Sequence, residues 1–354
     1  MTDAAEHSRQ NTIKRMDKSL EKDKLLELKN LKTYFDTPEG TVRAVDGLDL
    51  VIPQDTSVAL VGESGCGKSV TAESIMGLVP KPPGRVMGEI LYHRNDEVLD
   101  LTELEENSDE YCDIRGNEIS MIFQDPMSSL NPVYTIGNQV MEILLRHKDI
   151  TKSEARQKSI ELLDKVGIAN AEQRIDDYPH SFSGGMRQRV VIAIGLACNP
   201  RLLIADEPTT AIDVTIEAGI LDLIKSLQEE YKTSLLLITH NLGVVAQIAE
   251  KVAVMYLGEI VEYGPIKEIY HSPLHPYTRG LLQAVPVLGR QQKEKFETVR
   301  GMVPDPFEIP AGCRFSTRCD HKEEHGKADK VPPFLEPEPG HFVKCWLYEE
   351  SDNK

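Results

Sequence analysis

GESGCGKS, Gly62–Ser69, fits the pattern G-x-x-x-x-G-K-[ST] in full, between a short apolar run and a helix-like segment, the context this phosphate-binding loop requires. Its glycines, Gly62, Gly65 and Gly67, let successive backbone N–H groups curl around a β-phosphate, with Ser64, Cys66 and Val70 in the same run of contacts. Lys68 reaches the β- and γ-oxygens, and the Ser69 hydroxyl can coordinate Mg²⁺. RLLIADEP brings a second chemistry, because its apolar run places Asp206 at the carboxyl end of a strand, where it can hold the metal. Glu207 follows as a candidate to activate water. Paired acids at a strand end could equally cap the next helix; a phosphate loop in the same chain favours the metal and the water. Gln124, in IFQDP, follows another short apolar run and can contact the metal or the attacking water. His240, in LLLITHN, ends a third run and could bond a γ-phosphate, although a lone histidine is more often structural. A second glycine-rich stretch, SFSGGMRQR, leads Ser183, Gly184 and Gly185 into a helix-like segment whose exposed N–H groups also suit an anion.

Short apolar runs must position these groups. SVALVG, ISMIF, RLLIAD and SLLLIT each end near one of them, and helix-period segments lie between, so the pattern predicts a parallel sheet with crossover helices. Residues 1–24 read as a charged tail. From Leu25 the chain is hairpin-rich, with a turn near Pro38–Gly40, and from about 100 to 190 it is helix-leaning and charge-rich. KVAVMYLGEIVEYG returns to strand character. Beyond Gly264 the composition shifts to proline and histidine, then to a loop-rich, cysteine-bearing stretch. The expected class is α/β: a parallel-sheet core at 25–264 with an antiparallel β stretch at its start and a helical unit at about 100–190, followed by a small extension at 265–354.

A chain of 354 residues is long enough for two or three structural units. Its formal net charge of −17 argues against a duplex nucleic-acid binder, which carries a basic footprint. No apolar run approaches the ~18 residues of a membrane helix, and the first residues lack the apolar stretch of a signal peptide. The six cysteines are then expected to be reduced or metal-bound rather than paired. Cys66, at a helix N-terminus, is expected to have a lowered pKa and to be open to alkylation.

Taken in order, GESGCGKS, IFQDP, SFSGGMRQR, LLIADEP, TTAID and LLLITH resemble the ATP-binding cassette (ABC) ATPases over roughly 25–264. Other phosphate-loop enzymes lack SGGxxQR shortly before the acidic strand. The resemblance implies a RecA-like core with an antiparallel β subdomain and a helical subdomain, and ATP and Mg²⁺ as cofactors, with the metal held by Ser69, Gln124 and Asp206. It makes Glu207 the general base, His240 the switch histidine, Asp213 the acid of the following loop and Gln124 the Q-loop residue. Phe35 falls where an aromatic ring stacks on adenine, with Tyr34 the neighbouring alternative. In the family two ATPases pack head to tail, so Ser183, Gly184 and Gly185 would close over ATP held by a partner chain. Two positions depart from the family pattern: Phe182 stands where leucine is usual before SGG, and Asn241 where aspartate is usual after the histidine.

GEIVEYGPIKEIYHSPLHPYTRGLLQAVP narrows the resemblance to the subgroup that powers dipeptide and oligopeptide importers, through Gly258, Glu262, Pro273, His275, Pro276, Tyr277 and Thr278. It implies a second ATPase, either a sister chain or another copy, two membrane-spanning permease subunits and an extracytoplasmic substrate-binding protein. It also implies a peripheral position on the cytoplasmic face of the cell membrane, with no nucleic acid involved. DPMSSLNPVYTIG, Asp125–Gly137, would face the membrane subunits. Related machinery importing nickel or another small solute is the alternative, and a non-transport ABC ATPase a more distant one. In this subgroup the tail carries four cysteines and can hold an iron–sulfur cluster. Here Cys313, Cys319 and Cys345 match, but Gly326 occupies the fourth position, next to His325. Three thiolates with His341 could hold a cluster or zinc; the alternative is a loop that keeps its shape by packing alone.

Overall fold

The computed structural model describes residues 24–95, 97–210, 214–284, 299–325 and 327–349. Asp213, Gly326 and the tail before Lys24 lie outside them. The chain divides into two compact units, the first made of 1–53, 57–102 and 239–354, the second of 54–56 and 103–238. In chain order the strands begin with β1 (Lys24–Thr37), β2 (Gly40–Pro53), β3 (Ser57–Val61), β4 (Gly84–Arg94), β5 (Glu97–Asp100) and β6 (Ile119–Ile122). They continue with β7 (Leu202–Asp206), β8 (Ser234–Thr239), β9 (Lys251–Tyr256), β10 (Glu259–Pro265), β11 (Phe334–Glu338) and β12 (His341–Lys344).

In the first unit β1 pairs antiparallel with β2 and with β4, and β5 flanks β4. Leu26, Leu28 and Leu31 of β1 and Leu48, Leu50 and Ile52 of β2 are buried, each contributing ~1.5–3 kcal/mol on leaving water. A second set of strands starts from β3, which is buried along its length and runs parallel to β9. The order then continues antiparallel through β10, β12 and β11, so the residues beyond 265 extend the sheet that begins with the phosphate-loop strand. Helices Lys68–Ile75, Ile266–His271 and Pro276–Gln283 belong to the same unit.

The second unit carries β6, β7 and β8, all parallel, as the alternation of apolar runs and helix-period segments predicts. Its helix starts follow local capping chemistry. Thr151 and Glu154 form a reciprocal capping box at Lys152–Lys165, and Thr135 caps Ile136–His147. The apolar run Val190–Cys198 lies largely within helix Gly184–Leu196 and is buried except at Ile194, which is half-buried. Among the described residues no helix is long and apolar enough to cross a membrane.

Candidate functional site

The phosphate loop leaves β3 at Val61 and enters helix Lys68–Ile75 at its N-cap, Gly67. Gly67 has φ of 103°, and a Cβ there would sit 2.1 Å from the Ala44 carbonyl oxygen, so both dihedral and space demand glycine. Lys68 is buried, and its Nζ donates to the Gly62 carbonyl at 2.9 Å and the Glu63 carbonyl at 3.0 Å. The ammonium is thus held inside the curl of the loop. Ser64 and Gly65 form the loop's exposed tip, while Ser69 and Val70 are half-buried at the helix start. Cys66 reverses the expectation of a lowered pKa. Its side chain is buried, and that burial pushes the thiol up, outweighing the nearby Lys68 charge that pulls it down.

Residues far along the chain hold this loop from behind. Arg318, buried, donates from Nη1 and Nη2 to the two carboxylate oxygens of Glu63 at 2.6 and 3.1 Å. The Glu63 N–H donates to the Tyr277 hydroxyl at 2.8 Å, and the Gly258 N–H donates to the Cys66 carbonyl at 2.9 Å. Tyr277 itself sits among Tyr256 and Phe315, with ring centroids 4.7 and 5.6 Å away. Arg314 adds a second tie, from Nη2 to Asp46 Oδ2 at 2.7 Å, and also donates to the Leu257 carbonyl. Sequence reasoning found Gly258 and Tyr277 only as parts of a longer pattern and missed Arg318 and Arg314; nothing in RFSTRC signals a partner 255 positions earlier.

In the second unit β7 delivers the acids. Asp206 is buried at its last position and Glu207 follows with φ of 45°, a left-handed conformation unusual outside glycine. The Glu207 N–H donates to the Ile238 carbonyl at 2.8 Å, which fixes the turn against β8. Its Oε2 accepts from Thr210 Oγ1 at 2.8 Å and from Gln124 Nε2 at 3.0 Å. Gln124, just beyond β6, is therefore brought to Glu207 as a pair that the sequence placed only in separate motifs. Ser183 is the N-cap of helix Gly184–Leu196, accepting from the Met186 N–H at 3.4 Å, and both Ser183 and Gly184 are exposed. Phe182 is buried beside them, with the Arg174 guanidinium 4.7 Å from its ring centroid; the bulkier ring has a packing partner and leaves the serine outward.

His240 follows β8 in an exposed position, and Asn241 caps the next helix, Leu242–Ile248, by accepting from the Gly243 N–H at 3.0 Å. Asparagine caps as well as aspartate, which accounts for that departure. Phe35 is half-buried on β1, paired with Val42 and Gly84. Tyr34 is committed elsewhere: its hydroxyl donates to Asp46, and burial followed by that contact pushes its pKa up to about 12. Taken singly, Ser69 offers a hydroxyl, Asp206 a buried carboxylate and Gln124 an amide, each carrying an oxygen of the kind Mg²⁺ prefers.

The cysteine tail does not fit a metal centre. Among the described residues the only group of three or more His, Cys, Asp or Glu ligand atoms within 4.8 Å of one another is Glu268, Glu338 and His341, and no cysteine belongs to it. His341, expected beside the thiols, instead sets its Nε2 2.8 Å from Glu262 Oε1. Burial pushes the Cys313 and Cys345 thiols up to about 11, so both are protonated at neutral pH. Cys345 packs in an apolar cluster with Leu274 and Val343. With glycine at the fourth position, the thiolates of an iron–sulfur site are incomplete.

Comparison with known proteins agrees with this architecture. Residues 45–210 match the ABC transporter family, and residues 261–325 match the oligopeptide/dipeptide transporter C-terminal region. The oligopeptide transport ATP-binding protein AppD of Bacillus subtilis is 52% identical over 328 residues, covering 92% of this chain and 98% of that protein. The dipeptide transport ATP-binding protein DppD of the same organism is 47% identical over 329 residues, covering 93% of this chain and 96% of that protein. Among solved structures, a dimeric post-hydrolysis state of the ATP-binding cassette MJ0796, bound to ADP and phosphate, is similar at a TM-score of 0.60 with 27% identity. That likeness covers 68% of this chain and 99% of the other. Fold, motifs and relatives converge: the chain belongs to the ABC transporter family, among the ATP-hydrolysing subunits of the oligopeptide and dipeptide importers.

Proposed function

We propose that this chain drives uptake of di- and oligopeptides from the cytoplasmic face of the cell membrane. It would act with a second ABC ATPase and two membrane-spanning permeases, fed by an extracytoplasmic binding protein. The names of the relatives support the peptide substrate, and the match over 261–325 supports the subgroup. Val133 and Tyr134, exposed in the Asp125–Gly137 stretch, support a docking face for the permeases. Gln139 shapes that stretch by donating from Nε2 to the Asn131 and Tyr134 carbonyls.

The observation that carries the catalytic reading is Glu207 held by Gln124 and Thr210 at the end of β7. In this reading Glu207 orients a water and takes its proton as the oxygen attacks the γ-phosphorus in line, and the bond to the ADP oxygen breaks. Lys68 offsets charge on the β- and γ-oxygens, exchanging its loop carbonyl partners for phosphate, and His240 contacts the γ-phosphate. Ser69, Asp206 and Gln124 would hold Mg²⁺, which supplies charge neutralisation on the phosphates. Phe35 stacks on the adenine. Ser183, with the Gly184 and Gly185 N–H groups, closes over ATP bound to the partner chain. The cysteine tail keeps its shape by packing, without a metal.

Glu207→Gln preserves the hydrogen-bonding size of the side chain but removes the base. Hydrolysis by the assembled transporter is expected to fall ~100-fold or more while ATP affinity stays within about twofold. Substantial residual turnover in that variant would remove Glu207 from this role.

A further inference from the structure

In the extension, three side chains converge that the ATPase motifs do not use. His341 opens β12, Glu338 ends β11 across the hairpin turn, and Glu268 lies on helix Ile266–His271. Their ligand atoms all lie within 4.8 Å of one another, and His341 Nδ1 is 3.8 Å from Glu338 Oε2. His341 is fully buried. Its other nitrogen, Nε2, is fixed by Glu262 Oε1 at 2.8 Å. Glu262 is equally buried and accepts two further bonds, from the Leu274 N–H at 2.7 Å and the His275 N–H at 2.9 Å. With each Glu262 oxygen already accepting a backbone N–H, the 2.8 Å contact is assigned as Nε2–H donating to Oε1. That assigns the tautomer and leaves a lone pair on Nδ1.

Nδ1 is buried and makes no hydrogen bond, yet the Glu338 carboxylate stands 3.8 Å from it and Glu268 completes the group of ligand atoms. A lone pair among carboxylate oxygens is mutually repulsive unless something positive lies between them. A histidine with one nitrogen donating to a buried carboxylate and the other turned toward further carboxylates has the arrangement of a metal ligand with its orienting partner. Gly264 lets the ring lie there, since a Cβ at that position would approach His341 Cδ2 to 2.9 Å.

We propose that His341 Nδ1, Glu338 and Glu268 bind one divalent transition-metal ion of the zinc class, clasping the β11–β12 hairpin to helix Ile266–His271. One imidazole nitrogen and two carboxylate oxygens suit zinc, whose tetrahedral ligands stand ~3.4 Å apart at bond lengths of ~2.0–2.1 Å. Reaching that spacing requires the two glutamate side chains, one exposed and one half-buried, to rotate toward His341. The exposed Glu338 leaves a fourth position open to water. This site is separate from the three cysteines and does not depend on them.

The test uses the full-length chain, freed of metal with a chelator and titrated with Zn²⁺ by calorimetry, alongside Glu268→Gln/Glu338→Gln and a Cys313→Ser/Cys319→Ser/Cys345→Ser variant. Both glutamates lie away from the core, so the first variant is expected to fold, as circular dichroism will show. The expected result is about one Zn²⁺ per chain, a thermal midpoint raised by several degrees, and affinity at least about tenfold weaker in the glutamate variant. The cysteine variant is expected to bind as the unaltered chain does. Absence of binding, binding lost with the cysteines rather than the glutamates, or a metal-free His341 found doubly protonated at neutral pH by ¹⁵N NMR would each overturn the proposal.

Discussion

Two glycine-rich stretches, Gly62–Ser69 and Ser183–Gly185, look alike on paper and are built in opposite ways. The first is enclosed by its own chain: Lys68 bonds inward to two loop carbonyls, Gly258 bonds Cys66, and Tyr277 and Arg318 hold Glu63. The second is the start of a helix, where Ser183 makes its capping bond and Gly184 is exposed with nothing within 4 Å of where a Cβ would be, while Gly185 behind them is buried, with Ile216 Cγ2 2.8 Å from its Cβ position. The difference is the one the proposed division of labour asks for: bracing where the chain would bind its own nucleotide, and exposed Ser183 and Gly184 where it would meet a nucleotide held by a partner. The bracing also explains why the extension is more than an appendage, because its residues reach the loop in the same compact unit.

Loosening the brace is the way to break this contrast. Acid does so most strongly. His275 caps helix Pro276–Gln283 through Nδ1, which accepts from the Tyr277 N–H at 3.1 Å and can do so only unprotonated. Burial lowers its pKa to about 4, against an ordinary 6.5, with Glu262 and Glu259 opposing. The unfolded chain therefore takes up the proton first. Stability from this residue is intact above about pH 6.5 and is lost as pH falls toward 4, by about 3 kcal/mol in full. Denaturant titrations across that range are expected to show the decline, and His275→Gln to flatten it.

Arg318→Ala comes next. It leaves the Glu63 carboxylate unpaired beside the phosphate site, and ATP affinity is expected to fall about tenfold, or about 1.4 kcal/mol. Arg318→Lys should recover part of the loss, and adding Glu63→Gln to Arg318→Ala should recover more, since it removes the charge that repels phosphate. An additive double variant would show that the two residues act separately. The smallest effect is expected at Cys66: maleimide should label it more slowly at pH 7.5 than an exposed thiol, because the side chain is buried and its thiol is raised.

The local groups were legible because their chemistry is encoded at fixed spacing. GESGCGKS, the LLIAD strand and SFSGG each announce a backbone conformation, and each lies at the strand or helix end its pattern predicts. What was not legible depends on pairings across long sequence distance. Arg318 with Glu63, Gln124 with Glu207 and His341 with Glu262 each join residues 79 or more positions apart, and no local period records them. One expectation failed through desolvation: Cys66 at a helix start was to have a lowered pKa, and burial raises it instead. For the tail cysteines, left open between a metal and packing, burial of the thiols and the claim of Glu262 on His341 favour packing.

The most direct test of the contrast sets Ser183→Arg beside Lys68→Ala, measuring nucleotide binding by the single chain and hydrolysis by the assembled transporter. Ser183 is exposed, so the larger side chain is accommodated, at a cost of about 1 kcal/mol for the lost capping bond to the Met186 N–H. Lys68→Ala is expected to lose both activities. Ser183→Arg is expected to bind ATP within about twofold of the unaltered chain while hydrolysis at the site it shares with its partner falls by ~10-fold or more. If Ser183→Arg instead weakens the chain's own ATP binding as Lys68→Ala does, or leaves hydrolysis unchanged, the two stretches do not divide the work between chains.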